Sequence, residues 1–106
     1  MAVFNSKVGV DADCAKSMMA SGARLVWVLG ALDARRHALL QGISEKVYSI
    51  DADELVESKA PEKLVGKAPV LVCEHGITSL FVAQRLRSKG IEAFSLEGGV
   101  DGMTKW

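Results

Sequence analysis

The sequence predicts an α/β fold in three layers, α/β/α, around a five-stranded, mostly parallel sheet. Two observations predict it. Short apolar runs alternate with stretches of helical periodicity along the whole chain, the pattern of successive βαβ units. Two of those runs, Arg24-Leu25-Val26-Trp27-Val28-Leu29 and Pro69-Val70-Leu71-Val72, are apolar almost throughout, as strands are when helices cover both faces of their sheet. The length of 106 residues makes 1–106 a single domain. A chain of that size buries roughly 65% of its unfolded surface, enough for a core without disulfide or metal staples.

The elements follow in order. Val8-Gly9-Val10 is a brief strand, and Asp11 is the N-cap of a helix from Ala12 to Ala20. That helix turns Ala15, Met18 and Met19 to one face and stops at Gly22. The second strand ends at Gly30, and residues 33–41 form a helix closed by Gly42. Val47-Tyr48-Ser49-Ile50 is the third strand. Asp51 with Glu54 makes a capping-box start for a helix through Ser58, and Pro61 and Gly66 mark a loop. After the fourth strand, Ser79 to Lys89 is a helix with Val82, Ala83 and Leu86 inside and Gln84, Arg85, Arg87 and Lys89 outside, ended by Gly90. Ile91 to Leu96 is the fifth strand, followed by Gly98-Gly99 and a short segment to Trp106.

Composition excludes several functions. Thirteen basic residues balance thirteen acidic ones, so no net field attracts nucleic acid or an anionic membrane. Aromatic residues are only 6%, too few for a base-stacking surface. Two cysteines, Cys14 and Cys73, suit neither a disulfide scaffold nor a thiolate zinc site. Met1 to Lys7 lacks the basic and apolar regions of a signal peptide, and no apolar run is long enough to span a membrane. A cytoplasmic protein with reduced thiols is expected. Cys14, on the first helix, is expected to be a buried structural thiol.

Ligands of open α/β sheets bind beyond the carboxyl ends of the strands. Cys73 stands there, the first residue past the fourth strand, and Glu74-His75-Gly76-Ile77-Thr78-Ser79 leads from it into a helix. Backbone amides of such a loop converge, and the helix N-terminus adds positive potential, which favours a thiolate nucleophile. Gly76 permits a conformation that a side chain obstructs, and the Thr78 or Ser79 hydroxyl serves as helix cap or hydrogen-bond donor. His75 either steadies the sulfur as a cation or lies at the loop surface. Glu74, beside the nucleophile, disfavours both a thiolate and a dianionic substrate. A phosphatase loop of this kind needs an arginine where Ser79 stands, to clamp phosphoryl oxygens in a bidentate fork, so sulfur chemistry is expected instead.

Val70-Leu71-Val72-Cys73-Glu74-His75-Gly76-Ile77-Thr78-Ser79, the helix to Gly90, Phe94-Ser95-Leu96-Glu97-Gly98-Gly99 and the terminal Trp106 together resemble the C-terminal half of a rhodanese domain. The match runs from Pro69 to Trp106. In the first half, Leu32-Asp33-Ala34-Arg35 echoes the family's Asp-x-Arg, while Gln41-Gly42-Ile43-Ser44 lacks the histidine and proline of its Gly-His-Ile-Pro stretch. The resemblance implies a five-stranded parallel sheet. It also implies transfer of a sulfane sulfur, from a small donor such as thiosulfate or a persulfide to a small thiol or protein acceptor, through a persulfide on Cys73. Glu74, His75, Gly76, Ile77, Thr78 and Ser79 would form the substrate-binding loop, with no cofactor, metal, nucleic acid or membrane involved. The alternative is a catalytically weak rhodanese-like module that binds a partner or senses redox state.

Overall fold

The computed structural model describes residues 8–66 and 68–103. The expected Trp106 lies outside them. Five strands form one sheet: β1 (Gly9–Val10), β2 (Leu25–Trp27), β3 (Val47–Ser49), β4 (Val70–Val72) and β5 (Phe94–Leu96). Their order is β1-β5-β4-β2-β3, and every pairing is parallel. The helices are α1 (Ala12–Ala20), α2 (Ala34–Leu40), α3 (Ala52–Glu57), α4 (Glu62–Val65), α5 (Ile77–Ser88) and α6 (Gly99–Met103).

Strand geometry explains the two cores. Successive side chains on a strand point to opposite faces. Leu25, Trp27, Val70, Val72, Phe94 and Leu96 therefore pack on one side with Ala12 and Ala15 of α1, Leu40 of α2 and Val100 of α6. Val26, Val28, Leu71 and Cys73 pack on the other with Leu55 of α3, Val65 of α4, and Val82, Ala83 and Leu86 of α5. The continuous apolar runs in the sequence are the direct record of this double burial. The same alternation points the Cys73 side chain towards α5.

Capping residues fix several helix ends. Asp11 accepts the Cys14 amide at 2.8 Å, and Asp33 accepts the Arg36 amide at 2.8 Å. At the end of α5, Gly90 (φ +89°) lets its own amide bond to the Arg87 carbonyl and the Ile91 amide to the Leu86 carbonyl, a Schellman stop.

Several expectations are corrected. Asp51 occupies the N-cap position of α3 but makes no side-chain cap bond; the first amide of the helix, Ala52 N, goes instead to the Val28 carbonyl at the end of β2. The expected loop between Pro61 and Gly66 contains α4, because a proline at the first turn and a glycine past the last also open and close a helix. The α5 helix begins at Ile77, two residues before the expected Ser79, with left-handed Gly76 (φ +88°) as its N-cap. Cys14 is exposed, since α1 buries the stripe of Ala12 and Ala15 and Cys14 lies off it. Of the basic residues expected on the wet face of α5, Arg85 and Lys89 are exposed, Lys89 donating to the Val56 and Ser58 carbonyls at the end of α3, but Arg87 is half-buried and donates to the Ala93 carbonyl at 2.6 Å.

No described helix is long and apolar enough to cross a membrane. Among the described residues no group of three His, Cys, Asp or Glu side chains is placed to hold a metal ion.

Candidate functional site

The site sits where β4 gives way to α5. Cys73 Sγ accepts hydrogen bonds from the Gly76 amide at 3.1 Å and the Ser79 amide at 3.3 Å, and Ser79 Oγ lies 3.4 Å from it. An α-helix begins with amides that have no partner of their own, usually met by the oxygen of an N-cap side chain. Gly76 has no side chain to offer, and the sulfur takes that place. Two amide dipoles and the N-terminus of a twelve-residue helix thus converge on one atom, an arrangement that stabilises negative charge on it. The sulfur is deep: Cys73 is 2% exposed.

The loop owes its shape to the turn after β5. The Val100 amide donates to the Cys73 carbonyl at 3.0 Å, and the Asp101 amide donates to the Glu74 carbonyl at 2.9 Å. With these two carbonyls held by α6, the amides that follow are free to curl around the sulfur. This close approach is possible only with glycine at two points. A Cβ on Gly76 would lie 2.9 Å from the Gly98 nitrogen, and one on Gly99 would lie 2.3 Å from the Cys73 carbonyl oxygen.

The expected loop residues separate into two sets. Cys73, Gly76 and Ser79 come together, whereas His75 and Ile77 are exposed and half-buried Glu74 turns to Arg36. Glu74 takes a hydrogen bond from Arg36 Nε at 2.7 Å, and the guanidinium of Arg36 also pairs with Asp33. The hydrogen bond from Arg36 holds the Glu74 carboxyl below the usual carboxylate range, with the charge of the same guanidinium helping. The hydrogen bond from its own N-capped amide, that of Arg36, does the same for Asp33. Glu74 is therefore not the isolated negative charge expected from its position. His75 Nδ1 stands 3.6 Å from an Asp101 carboxylate oxygen and faces that group at the surface. Thr78 is half-buried and caps nothing, while Ser79 is completely buried beneath the sulfur.

Sequence reasoning missed three parts. Arg36 reaches the loop; the signal was the Asp33 N-cap, which fixes the residue three places on. Ser95, buried in β5, bonds Ser79 across 2.7 Å. Ile77, Leu80 and Phe81 form an exposed apolar stripe on the outer side of α5, 75%, 38% and 56% exposed. The alternation of apolar residues on both sides of this helix was the available signal.

No protein-family model matches the chain, and no curated protein matches it. Solved structures do. A rhodanese homologue from the extremely thermophilic bacterium Thermus thermophilus superposes with a TM-score of 0.65 at 25% identity, covering 86% of this chain and 94% of that one. A rhodanese-related protein from Thermoplasma volcanium gives 0.64 at 19% identity, over 92% and 90% of the two chains. A human single-domain sulfurtransferase gives 0.62 at 19% identity, over 94% and 97%. The likeness covers 86–94% of this chain and shows a common fold.

Proposed function

We propose that this chain, whose fold is that of the rhodaneses, is a sulfurtransferase that carries a sulfane sulfur on Cys73. The observation that carries the reading is the pair of amides on Cys73 Sγ at a helix N-terminus, with a serine in place of a phosphate-clamping arginine. In the first half-reaction the Cys73 thiolate attacks the outer sulfur of the donor. A bond forms between Sγ and that sulfur, the donor's own bond to it breaks, and the electron pair leaves with sulfite or a thiolate. In the second, an acceptor thiolate attacks the outer sulfur of the persulfide and Cys73 departs as thiolate. No net oxidation occurs and no cofactor is needed. The Gly76 and Ser79 amides stabilise the charge on sulfur through both steps.

The exposed stripe of Ile77, Leu80 and Phe81 supports an acceptor larger than a simple anion, such as a thiol on a protein. Two unpaired cysteines support a reducing compartment such as the cytoplasm. One observation favours the second reading in its noncatalytic, partner-binding form: the near-complete burial of Cys73.

One experiment separates them. After incubation with thiosulfate or a polysulfide, intact-mass and peptide mass spectrometry should find one added sulfur atom on Cys73, released by a reducing thiol. Sulfur on Cys14 alone, or on neither cysteine, sinks the proposal. Cys73-dependent hydrolysis of an aryl phosphate above a Cys73→Ala control would also refute it.

Donor charge should read out the Arg36–Glu74 pair. Glu74→Gln removes a negative charge beside the loop and leaves the Arg36 guanidinium paired with Asp33 alone, so loading from dianionic thiosulfate should rise several-fold. Arg36→Ala leaves the Glu74 carboxylate without its guanidinium partner and should lower it. Loading from a neutral polysulfide should change little in either variant, and added salt should flatten the difference. Indistinguishable thiosulfate rates for the two variants at low salt would mean that the pair has no part in donor choice.

A further inference from the structure

Ser95 stands in the middle of β5, an inner strand of the sheet, and is 2% exposed. Its sequence neighbours Phe94 and Leu96 pack into the core on the α1 side, so strand alternation turns Ser95 towards α5. A hydroxyl buried at such a place is tolerated only with a partner. Its partner is Ser79 Oγ, 2.7 Å away, and Ser79 is itself completely buried. Ser79 Oγ lies 3.4 Å from Cys73 Sγ. Two buried hydroxyls thus form a line that ends on the sulfur, running from β5 through α5 to the loop.

We propose that Ser95 is a positioning residue for Cys73 and acts through Ser79. The inference rests on the reading of Cys73 as a nucleophile. Counting protons gives the directions of the bonds. A sulfur anion has no proton, so the Ser79 hydroxyl must donate to it. The lone pairs of Ser79 Oγ are then free to accept from Ser95. In that state the two hydroxyl protons fill the two links. A neutral thiol adds a third proton, and one of the three is left without an acceptor in the line. The arrangement therefore suits the anion, whether thiolate or persulfide. Ser95 supplies the anchor. A serine in the first turn of a helix otherwise tends to swing its hydroxyl to a nearby backbone group. The donor from β5 holds Ser79 Oγ under the sulfur and strengthens its own bond to it.

The test is alkylation of Cys73 by iodoacetamide across pH, followed peptide by peptide in the intact protein. It needs a reactive thiol but no sulfur transfer, so it stands or falls separately from the sulfurtransferase reading. Ser95→Ala should slow Cys73 alkylation at neutral pH by about fivefold, the factor a single neutral hydrogen bond carries, and move the pH–rate profile upward. The same substitution made on a Ser79→Ala background should add no further loss. Exposed Cys14, alkylated in the same sample, should react at the parental rate in each variant and so controls for reagent and pH, while a cooperative thermal transition reports that the fold is intact. Should Ser95→Ala disturb the fold by this measure, Ser95→Thr, which keeps the hydroxyl, is compared instead and should retain the parental profile. An unchanged profile in Ser95→Ala overturns the proposal. So does an equal loss with and without Ser79, which would mean that Ser95 acts by another route, and so does a shifted profile in a folded Ser95→Thr.

Discussion

A Cys73→Ala chain is expected to take up no transferable sulfur from thiosulfate or a polysulfide, while a Cys14→Ala chain loads as the parent does. The two thiols differ in surroundings, not in kind. Cys73 Sγ receives the Gly76 and Ser79 amides and faces the buried Ser79 hydroxyl, so charge that develops on it is met by fixed dipoles. Cys14 is exposed on α1; its amide is held by Asp11, and its side chain lies in water. Removing even one preorganised donor of this kind costs enzymes roughly 10²–10³ in rate. A thiol without any should trail Cys73 by at least about that range. Single-turnover loading of the parent and both variants, quenched at short times and read by peptide mass, gives the comparison. Loading of Cys73→Ala at a rate near the parent's would place the chemistry on Cys14 and overturn the site.

What the sequence made legible, and what it did not, follows the range of the interactions involved. The span of α1 is readable to the residue because its stop and start are local: the Asp11 carboxylate bonds an amide three residues on, and Gly22 (φ +99°) ends the helix. The apolar runs through Val26 and Leu71 are readable as doubly covered strands because each residue reports its own burial. The gathering of the loop after β4 around the Cys73 sulfur is readable because Cys73, Gly76 and Ser79 are close neighbours in the chain. Its supports are not. Arg36 reaches Glu74 across 38 positions, and Ser95 reaches Ser79 across 16. Neither pairing leaves a periodicity, and a serine inside an apolar strand reads only as an interruption. The start of α5 escapes the sequence for a related reason: the sulfur of Cys73 serves as cap acceptor, a role that local rules assign to Ser, Thr, Asp or Asn.

Gly99→Ala is expected to destabilise the fold far more than Gly90→Ala, although both glycines hold left-handed backbone, φ +60° and +89°. The conformational cost of giving either position a side chain is similar, roughly 1–2 kcal/mol. The neighbours differ. Nothing lies within 4 Å of a Cβ built on Gly90, whereas one on Gly99 would lie 2.3 Å from the Cys73 carbonyl oxygen and 2.6 Å from that of Glu74. These atoms are backbone and cannot rotate aside. To admit the methyl group, the turn after β5 must withdraw from the loop, which breaks the bonds from the Val100 and Asp101 amides and loosens the amide cradle around the sulfur. A total cost above about 3 kcal/mol is expected, in the tail of single substitutions. For a domain of this size each kcal/mol lowers the melting temperature by about 4–8 °C, so thermal denaturation separates the variants clearly. Gly90→Ala should melt roughly 4–16 °C early on that scale and load sulfur on Cys73 at the parental rate, since Gly90 ends α5 far along the helix from the loop. Gly99→Ala should melt much earlier and load slowly even well below its transition. Equal melting temperatures for the two variants would mean that α6 does not hold the loop after β4 in place.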